Sequence, residues 1–271
     1  MSEQIHTSVT DHIGEVVIAR PPVNALNAAG WFALAAAIDG LNANPDVRVI
    51  VIRAEGRGFC AGVDIKELQA HPARIVDVNK GNYDTFRAIH TGRAPVIAAA
   101  HGFVLGGGIG ICGAADIVIL SECATLGVPE VDRGALGGGA HLQRILPLQK
   151  VRQMYFTGDF IAAEEAFRFG GVEAVVPKDA LRDTAFALAR KIAAKSPVMI
   201  ALAKEALNGV EASNLETAYR WEQGFTAQAY LTERFAKNPE CFCRLWRHGR
   251  FFQKGLRLWG LFPITLLAMG C

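Results

Sequence analysis

The chain has 271 residues, of which 51% are hydrophobic, enough to bury the core of one sizeable domain. Its formal net charge of +2, with no basic stripe before residue 234, argues against a nucleic-acid partner. The six cysteines show no zinc-type spacing, so we expect no metal site. Because residues 1–8 lack the apolar core of a signal peptide, the sequence predicts a cytoplasmic protein.

The first third of the chain alternates strand and helix patterns. Residues 5–19 read as a β-hairpin, and residues 28–43 show the apolar spacing of an amphipathic helix. Residues 47–52 form a nearly continuous apolar run, typical of a strand that is buried on both faces. The polar stretch 69–80 predicts a mobile loop, and residues 83–91 predict a further amphipathic helix. This alternation indicates an α/β fold with parallel strands and right-handed crossovers.

The chain after residue 130 is predominantly helical. A short strand is predicted at residues 174–176, where β-branched residues interrupt the helical spacing. The predicted helices cover residues 140–146, 151–157, 162–169, 181–194, 198–207 and 215–231.

The stretch from residue 95 to residue 130 is the most informative part of the sequence. An apolar run, residues 96–105, meets the consecutive glycines Gly106, Gly107 and Gly108, and a second buried strand is predicted at residues 117–120. Glycines at a strand-to-helix junction allow a ligand to approach the backbone closely, since no Cβ stands in the way. A helix that starts there presents N–H groups to a phosphate or to an oxygen that becomes charged during reaction. A tight structural turn is the alternative.

A dinucleotide site is a further alternative at the same place. Residues 108–113 match the pattern G-x-G-x-x-G, and Glu130 follows at about the spacing of a ribose-binding acid. However, the next strand begins within two helical turns of the glycines, whereas a dinucleotide fold requires a full helix there. The pattern alone is therefore a weak indication.

Three separated motifs carry a family resemblance. They are R-G-F-C-A-G-V-D-I-K-E at 57–67, A-A-A-H-G-F-V-L-G-G-G-I-G at 98–110 and T-L-G-V-P-E-V-D-R-G-A-L-G-G-G at 125–139. In this order they resemble the crotonase superfamily, also called the enoyl-CoA hydratase/isomerase family, over residues 5–232. The resemblance implies an α/β fold, the ClpP/crotonase-like spiral of ββα turns.

The resemblance also implies how the chain is divided. Residues 1–195 would form the spiral core, and residues 196–233 would form C-terminal helices that mediate contacts in a homotrimer or a dimer of trimers. Residues 234–271 form a basic, aromatic tail, which holds seven of the 28 lysines and arginines and only one of the 26 acidic residues. Its pattern fits either a segment that lies on a membrane surface or non-native sequence, and it is too short and too interrupted to span a bilayer.

Members of this family bind an acyl-CoA thioester, whose carbonyl oxygen accepts hydrogen bonds from two backbone N–H groups. By motif position these would belong to Val63 and Gly107. The resemblance predicts no cofactor other than the coenzyme A that the substrate carries. Asp64 and Lys66 are also explained as ordinary charges at a helix start. The loop implied to hold the CoA part comprises Ala61, Val63, Asp64, Ile65 and Lys66, together with Gly107.

The carboxylates decide which chemistry the family scaffold supports. The hydratases use two glutamates, and Glu130 matches the second, but Gly110 stands at the first position. A single carboxylate can move a proton between two carbons, or activate water against a carbonyl so that a C–C bond breaks. Asp132 and His141 are candidates for the acyl pocket, with a surface ion pair and a helix-start histidine as their respective alternatives.

The motifs, together with His141 and Y-R-W-E-Q-G-F-T at 219–226, are most similar to actinobacterial hydrolases of this family that open a ring of a steroid-derived bicyclic acyl-CoA. The resemblance therefore implies hydrolytic ring opening of a cyclic keto-acyl-CoA, with Glu130 as the acid/base. Double-bond isomerisation and then hydration are the enzymatic alternatives. A non-catalytic acyl-CoA-binding protein is the alternative from another class.

Overall fold

The computed structural model describes residues 4–133, 136–211, 214–220 and 222–224. All of them lie within the first of the chain's two compact units, Met1–Ala227. The predicted tail, residues 234–271, and the end of the last predicted helix lie outside the described residues.

The elements of the first half follow one another without long connections. The strands are β1 (Ile5–Thr10), β2 (Ile13–Ile18), β3 (Val49–Ala54), β4 (Val96–Ala100), β5 (Phe103–Leu105), β6 (Ile117–Ser121) and β7 (Thr125–Gly127). The helices are α1 (Ala28–Ala43), α2 (Ile65–Ala70), α3 (Ile75–Thr91) and α4 (Gly107–Ala114), with short 3₁₀ turns at Pro72–Arg74 and Pro129–Arg133.

The second half is mainly helical. Its elements are α5 (Gly139–Leu142), α6 (Leu148–Thr157), β8 (Phe160–Ala162), α7 (Ala163–Arg168), β9 (Ala174–Val176), a 3₁₀ turn at Lys178–Ala180, α8 (Leu181–Ala193) and α9 (Pro197–Val210). Residues 215–220 and 222–224 are also helical.

The larger sheet has six strands in the order β1-β2-β3-β4-β6-β9. Strand β1 is antiparallel to β2, and the remaining neighbours are parallel. Helix α8 covers one face, where Leu181, Ala185 and Phe186 pack against the apolar side chains of the central strands. Burial on both faces explains why β3 and β4 read as continuous apolar runs.

A second sheet, with the order β5-β7-β8, branches from the first at Gly102. Gly102 has φ +59°, and a Cβ there would overlap the carbonyl oxygen of Arg57, so only glycine fits this bend. The predicted single strand 96–105 is therefore two strands, one in each sheet. This change of sheet brings the loop after β3, which bridges from Cys60 to Val104, against the glycines that follow β5.

Most other predicted elements are confirmed, and one more is wrong. Helix α1 and strand β9 have the predicted bounds. The predicted mobile loop at residues 69–80 is instead the end of α2, a 3₁₀ turn and the first part of α3. The buried face of α3 includes the polar residues Asn82 and Thr85, and Thr85 Oγ1 donates to the Trp31 carbonyl at 3.0 Å. Because polar residues occupy the buried face, hydrophobic spacing alone did not indicate the whole helix.

Candidate active site

The triple glycine forms the turn between β5 and α4. Gly106 has φ +50°, and its N–H donates to the Gly127 carbonyl at 3.2 Å, which ties the turn to β7. Helix α4 begins at Gly107 and contains eight residues, so it is too short for the dinucleotide fold. Its first N–H groups have no partner inside the helix and point out of its N-terminus.

The predicted second N–H, that of Val63, lies next to this helix start. Val63 pairs with Leu26 in a parallel bridge, in which Leu26 donates to Gly62 at 2.8 Å and accepts from Asp64 at 2.9 Å. The bonds to both neighbours turn the N–H of Val63 away from Leu26. A Cβ on Gly62 would lie 3.0 Å from the Gly107 nitrogen, so the two segments are in contact. Between described residues, no hydrogen bond uses the N–H of Val63 or Gly107 as donor.

Glu130 lies in the 3₁₀ turn that follows β7. Its carboxylate is directly over Gly106, because a Cβ on Gly106 would overlap Oε1, and its Oε2 is buried. The structure thus brings together three of the predicted site residues: the N–H groups of Val63 and Gly107 and the side chain of Glu130. A carboxylate beside two inward-facing N–H donors can exchange a proton with a molecule whose oxygen those donors hold.

Gly110 occupies the position of the first family glutamate, and an aromatic side chain fills the space in front of it. A Cβ on Gly110 would overlap the tip of the Phe86 ring. The Phe86 ring makes edge contacts with Trp31, His141 and Tyr219, at centroid distances of 5.9, 4.6 and 5.2 Å. The site therefore has an uncharged aromatic cluster, defined by these four residues, in place of a second carboxylate at residue 110.

His141 and Asp132, the two acyl-pocket candidates, lie in different surroundings. His141 is 1% exposed in the aromatic cluster. Burial, assisted by the charge of Arg144, lowers the pKa of His141 to about 3, so the imidazole is neutral at physiological pH. Asp132 is exposed, and a Cβ on Gly158 would come 2.7 Å from its Oδ2, which places the carboxylate beside the end of α6. Of the two, His141 is thus the one in direct contact with Phe86, the ring in front of Gly110.

The predicted CoA loop is held by Asp64. Its Oδ1 accepts from the Lys66 N–H at 3.0 Å as the N-cap of α2, and its Oδ2 pairs with Arg20 at 2.8 Å. Both interactions support the explanation of Asp64 as a helix-start charge. Ala61 donates its N–H to Val23 at 3.1 Å, whereas Ile65 is 41% exposed and Lys66 is exposed. The binding roles of these residues stay predictions.

Sequence reasoning missed a buried carboxylate next to this site, that of Glu222. It accepts from the Tyr155 hydroxyl at 2.6 Å and from the N–H groups of Gly139 and Ala140 at 2.7 and 3.3 Å. Burial raises the pKa of Glu222, while these hydrogen bonds oppose the shift. A Cβ on Gly138 would lie 3.5 Å from the Gly106 carbonyl oxygen, so Glu222 anchors a loop that packs on the glycine turn.

Comparison with known proteins decides the family. The family model described as enoyl-CoA hydratase/isomerase matches residues 8–243.

The chain belongs to the enoyl-CoA hydratase/isomerase family.

Two relatives within this family carry the same printed activity. A "(7aS)-7a-methyl-1,5-dioxo-2,3,5,6,7,7a-hexahydro-1H-indene-carboxyl-CoA hydrolase" from Rhodococcus jostii is 47% identical over 229 residues, which covers 83% of this chain and 89% of the relative. The hydrolase of the same name from Mycobacterium tuberculosis is 45% identical over 242 residues, covering 88% of this chain and 98% of the relative.

A solved structure shows the same fold. An enoyl-CoA hydratase from Mycobacterium avium subsp. paratuberculosis superimposes with a TM-score of 0.77 at 25% identity, covering 84% of this chain and 94% of that one. The predicted crotonase fold is therefore confirmed, as is the resemblance to the ring-opening hydrolases.

The residues that the structure describes were also compared with the requirements of a metal site and of a membrane span. Among them, no group of three or more His, Cys, Asp or Glu side chains is arranged to hold a metal ion. No helix in the same residues is long and apolar enough to cross a membrane.

Proposed function

We propose that this enoyl-CoA hydratase/isomerase-family chain hydrolyses a C–C bond in the ring of a cyclic β-oxo acyl-CoA, with Glu130 as its acid/base. One observation carries the proposal: the site has a single carboxylate, that of Glu130 over Gly106, and the Phe86 ring fills the space in front of Gly110. The two hydrolases named above act on an indene that carries two oxo groups and a CoA thioester, and they support this substrate class. Such a bicyclic acyl-CoA is the kind that the resemblance assigns to steroid catabolism.

The proposed reaction begins with the thioester oxygen between the N–H groups of Val63 and Gly107. Glu130 removes a proton from water, and the hydroxide adds to the ring ketone. The bond between the former ketone carbon and the α carbon then breaks, and its electron pair becomes the thioester enolate. The two N–H donors stabilise that enolate, and removal of one such donor in other enzymes costs about 3–4 kcal/mol. Glu130 returns its proton to the α carbon, so that water is added across the bond and a new carboxylate forms.

The remaining site residues have supporting roles in this proposal. Ala61, Ile65 and Lys66 bind the CoA part, with Asp64 fixing their loop through α2. His141 and Asp132 contact the acyl group or its water. The reaction uses no cofactor beyond the CoA of the substrate, and the cytoplasmic location stays a prediction.

We also propose that the chain assembles as a homotrimer or a dimer of trimers through residues 196–233. Helix α9 supports this, because it exposes a row of large apolar side chains that a second chain would bury. They are Val198, Met199, Leu202, Leu207 and Val210, with exposed fractions of 66, 63, 53, 65 and 78%.

The test is a product assay in H₂¹⁸O with 2-oxocyclohexane-carboxyl-CoA and a straight-chain enoyl-CoA. The wild-type protein should place ¹⁸O in a new carboxylate of the cyclic substrate. Glu130→Gln should lower turnover by about 10²–10⁴-fold, the usual contribution of an acid/base, while CoA-ester affinity stays within a few-fold. Glu122→Gln is the matched control, since Glu122 is exposed and lies near the same strand, β7, and it should retain activity.

Other products would redirect the proposal. A hydroxyacyl product from the straight chain would support a hydratase, and a shifted double bond would support an isomerase, which also needs only one carboxylate. If the wild type and Glu130→Gln both bind the two esters tightly and convert neither of them, the result would support a non-catalytic acyl-CoA-binding protein.

A further inference from the structure

Among the buried side-chain atoms that have no hydrogen-bond partner in the described residues, three lie near the proposed reaction centre. They are Trp31 Nε1, Asn82 Oδ1 and His141 Nδ1, on side chains that are 0, 5 and 1% exposed. Buried polar atoms are nearly always hydrogen-bonded, because an unsatisfied one loses its interactions with water and gains nothing in return. Several such atoms in one region indicate that another molecule supplies the missing partners.

All three atoms belong to residues beside the proposed reaction centre. Trp31 and His141 both contact the Phe86 ring in the aromatic cluster. Asn82 lies on the buried face of α3, one turn before Phe86, and Gly81 beside it packs on Trp31. The residues that carry the unsatisfied atoms are therefore neighbours of Phe86 or of Trp31.

Trp31 lies nearest to the predicted thioester site. A Cβ on Gly107 would meet Trp31 Cζ2 at 2.5 Å and Cη2 at 2.6 Å. In an indole ring, Cζ2 is bonded to the carbon that carries Nε1, so the nitrogen is two bonds from an atom that contacts the Gly107 segment. An indole N–H only donates, and its missing partner must therefore be an acceptor.

The charge of the region restricts what that acceptor can be. Tryptophan is uncharged, and His141 is neutral because burial lowers its pKa to about 3. A neutral donor in a region that is shielded from water suits a carbonyl oxygen better than a phosphate or a carboxylate, whose charge would lack a counterion there.

We propose that the indole N–H of Trp31 donates a hydrogen bond to a ring oxo oxygen of the acyl group, next to the thioester oxygen held at Gly107. Trp31 is then a specificity-determining residue that selects β-oxo acyl thioesters over their unoxidised analogues. This inference rests on the proposed function, in which two oxygens carry negative charge in turn. Val63 and Gly107 serve the thioester oxygen, and Trp31 holds the ketone oxygen in place while water adds to the ketone carbon.

The test measures binding without turnover, so its outcome does not depend on ring opening. In a Glu130→Gln background, dissociation constants are measured for 2-oxocyclohexane-carboxyl-CoA and cyclohexane-carboxyl-CoA. The oxo ester should bind about tenfold more tightly, the factor that corresponds to one hydrogen bond of about 1.4 kcal/mol. Adding Trp31→Phe should reduce that preference to near one. Adding Phe32→Leu instead changes the next residue of α1, which is 37% exposed, removes no polar atom and should leave the preference in place.

A second measurement uses the intact tryptophan, in case Trp31→Phe impairs folding. With ¹⁵N-labelled tryptophan, the Glu130→Gln protein should show four indole N–H signals, one for each tryptophan. One of them should move downfield with the oxo ester and not with the unoxidised ester. An unchanged preference in the Trp31→Phe variant, or the same indole spectrum with both esters, would overturn the proposal while leaving the Glu130 test intact.

Discussion

Two buried polar regions meet on helix α3, and they differ in how their polar atoms are satisfied. Around Phe86, the aromatic cluster contains unsatisfied atoms of Trp31 and His141 and, within the described residues, has no ion pair. One turn further along, most polar atoms are paired with one another, although His90 Nε2 makes no hydrogen bond to a described residue and lies 3.7 Å from Glu211 Oε2. His90 Nδ1 contacts Glu216 Oε1 at 2.6 Å, and the Lys204 ammonium contacts Asp116 at 2.8 Å.

The difference separates groups that hold the fold together from groups that are available to a ligand. In the paired region, Lys204 also donates to the carbonyls of Ile89 and Ala94 at 2.7 and 3.1 Å, and Arg144 pairs with Glu211 at 2.7 Å. These bonds join the C-terminal helices to α3 and β4. The region around Phe86 contributes packing but leaves the Trp31 indole N–H and His141 Nδ1 without partners among the described residues. Mutations in the paired region should therefore affect mainly stability. Mutations around Phe86 should also affect substrate preference.

The largest expected effect follows from removal of the buried ammonium in the paired region. Lys204→Met should lower the free energy of unfolding by about 3–5 kcal/mol, because the carbonyls of Ile89 and Ala94 lose their buried donor, whereas water can still solvate Asp116. Urea unfolding followed by circular dichroism measures it.

A matched control lies on the exposed side of helix α3. Lys80 pairs with Asp84 at 2.6 Å, but its side chain is 65% exposed, so Lys80→Met should cost less than about 0.5 kcal/mol. Equal losses in the two variants would mean that burial does not distinguish the two regions.

The second effect concerns the pH dependence of stability. His141 has a pKa of about 3 in the folded protein and about 6.5 when unfolded, so the unfolded state binds the extra proton first. This contribution to stability is therefore complete above pH 6.5 and is lost as the pH falls towards 3, by about 1.4 kcal/mol per unit. Between pH 6.5 and pH 5 the wild type should lose about 2 kcal/mol more than His141→Phe. Urea midpoints at the two pH values test this, and parallel losses would contradict the neutral imidazole.

The third effect tests whether Phe86 prevents a return to two carboxylates. Gly110→Glu should lower stability by at least about 1 kcal/mol, because its side chain overlaps the Phe86 ring, and should not create hydration of a straight-chain enoyl-CoA. Gly110→Glu combined with Phe86→Ala removes the overlap and is the comparison. Hydratase activity in the single variant would show that Phe86 moves easily.

The sequence predicted the fold and the central part of the site for different reasons. Strands buried on two faces gave long apolar runs, and Gly106 to Gly108 marked a backbone that a ligand approaches. Val63 and Glu130 could be placed only through the family motifs, because no local pattern links residues that are far apart in the chain. Glu222 and Trp31 were missed, since a glutamate and a tryptophan on helices resemble ordinary surface and core residues until the fold shows their neighbours.

The contact between Phe86 and Gly110 also constrains the order in which substitutions can accumulate. A glutamate at residue 110 has no room while the phenylalanine ring is present, whereas a smaller residue at 86 leaves Gly110 unaffected. A path from this chain towards a two-carboxylate enzyme must therefore change residue 86 first and pass through a form with a cavity. Residues 86 and 110 are therefore epistatic, and the combination of Phe86 with Gly110 is easier to retain than to replace by a second carboxylate.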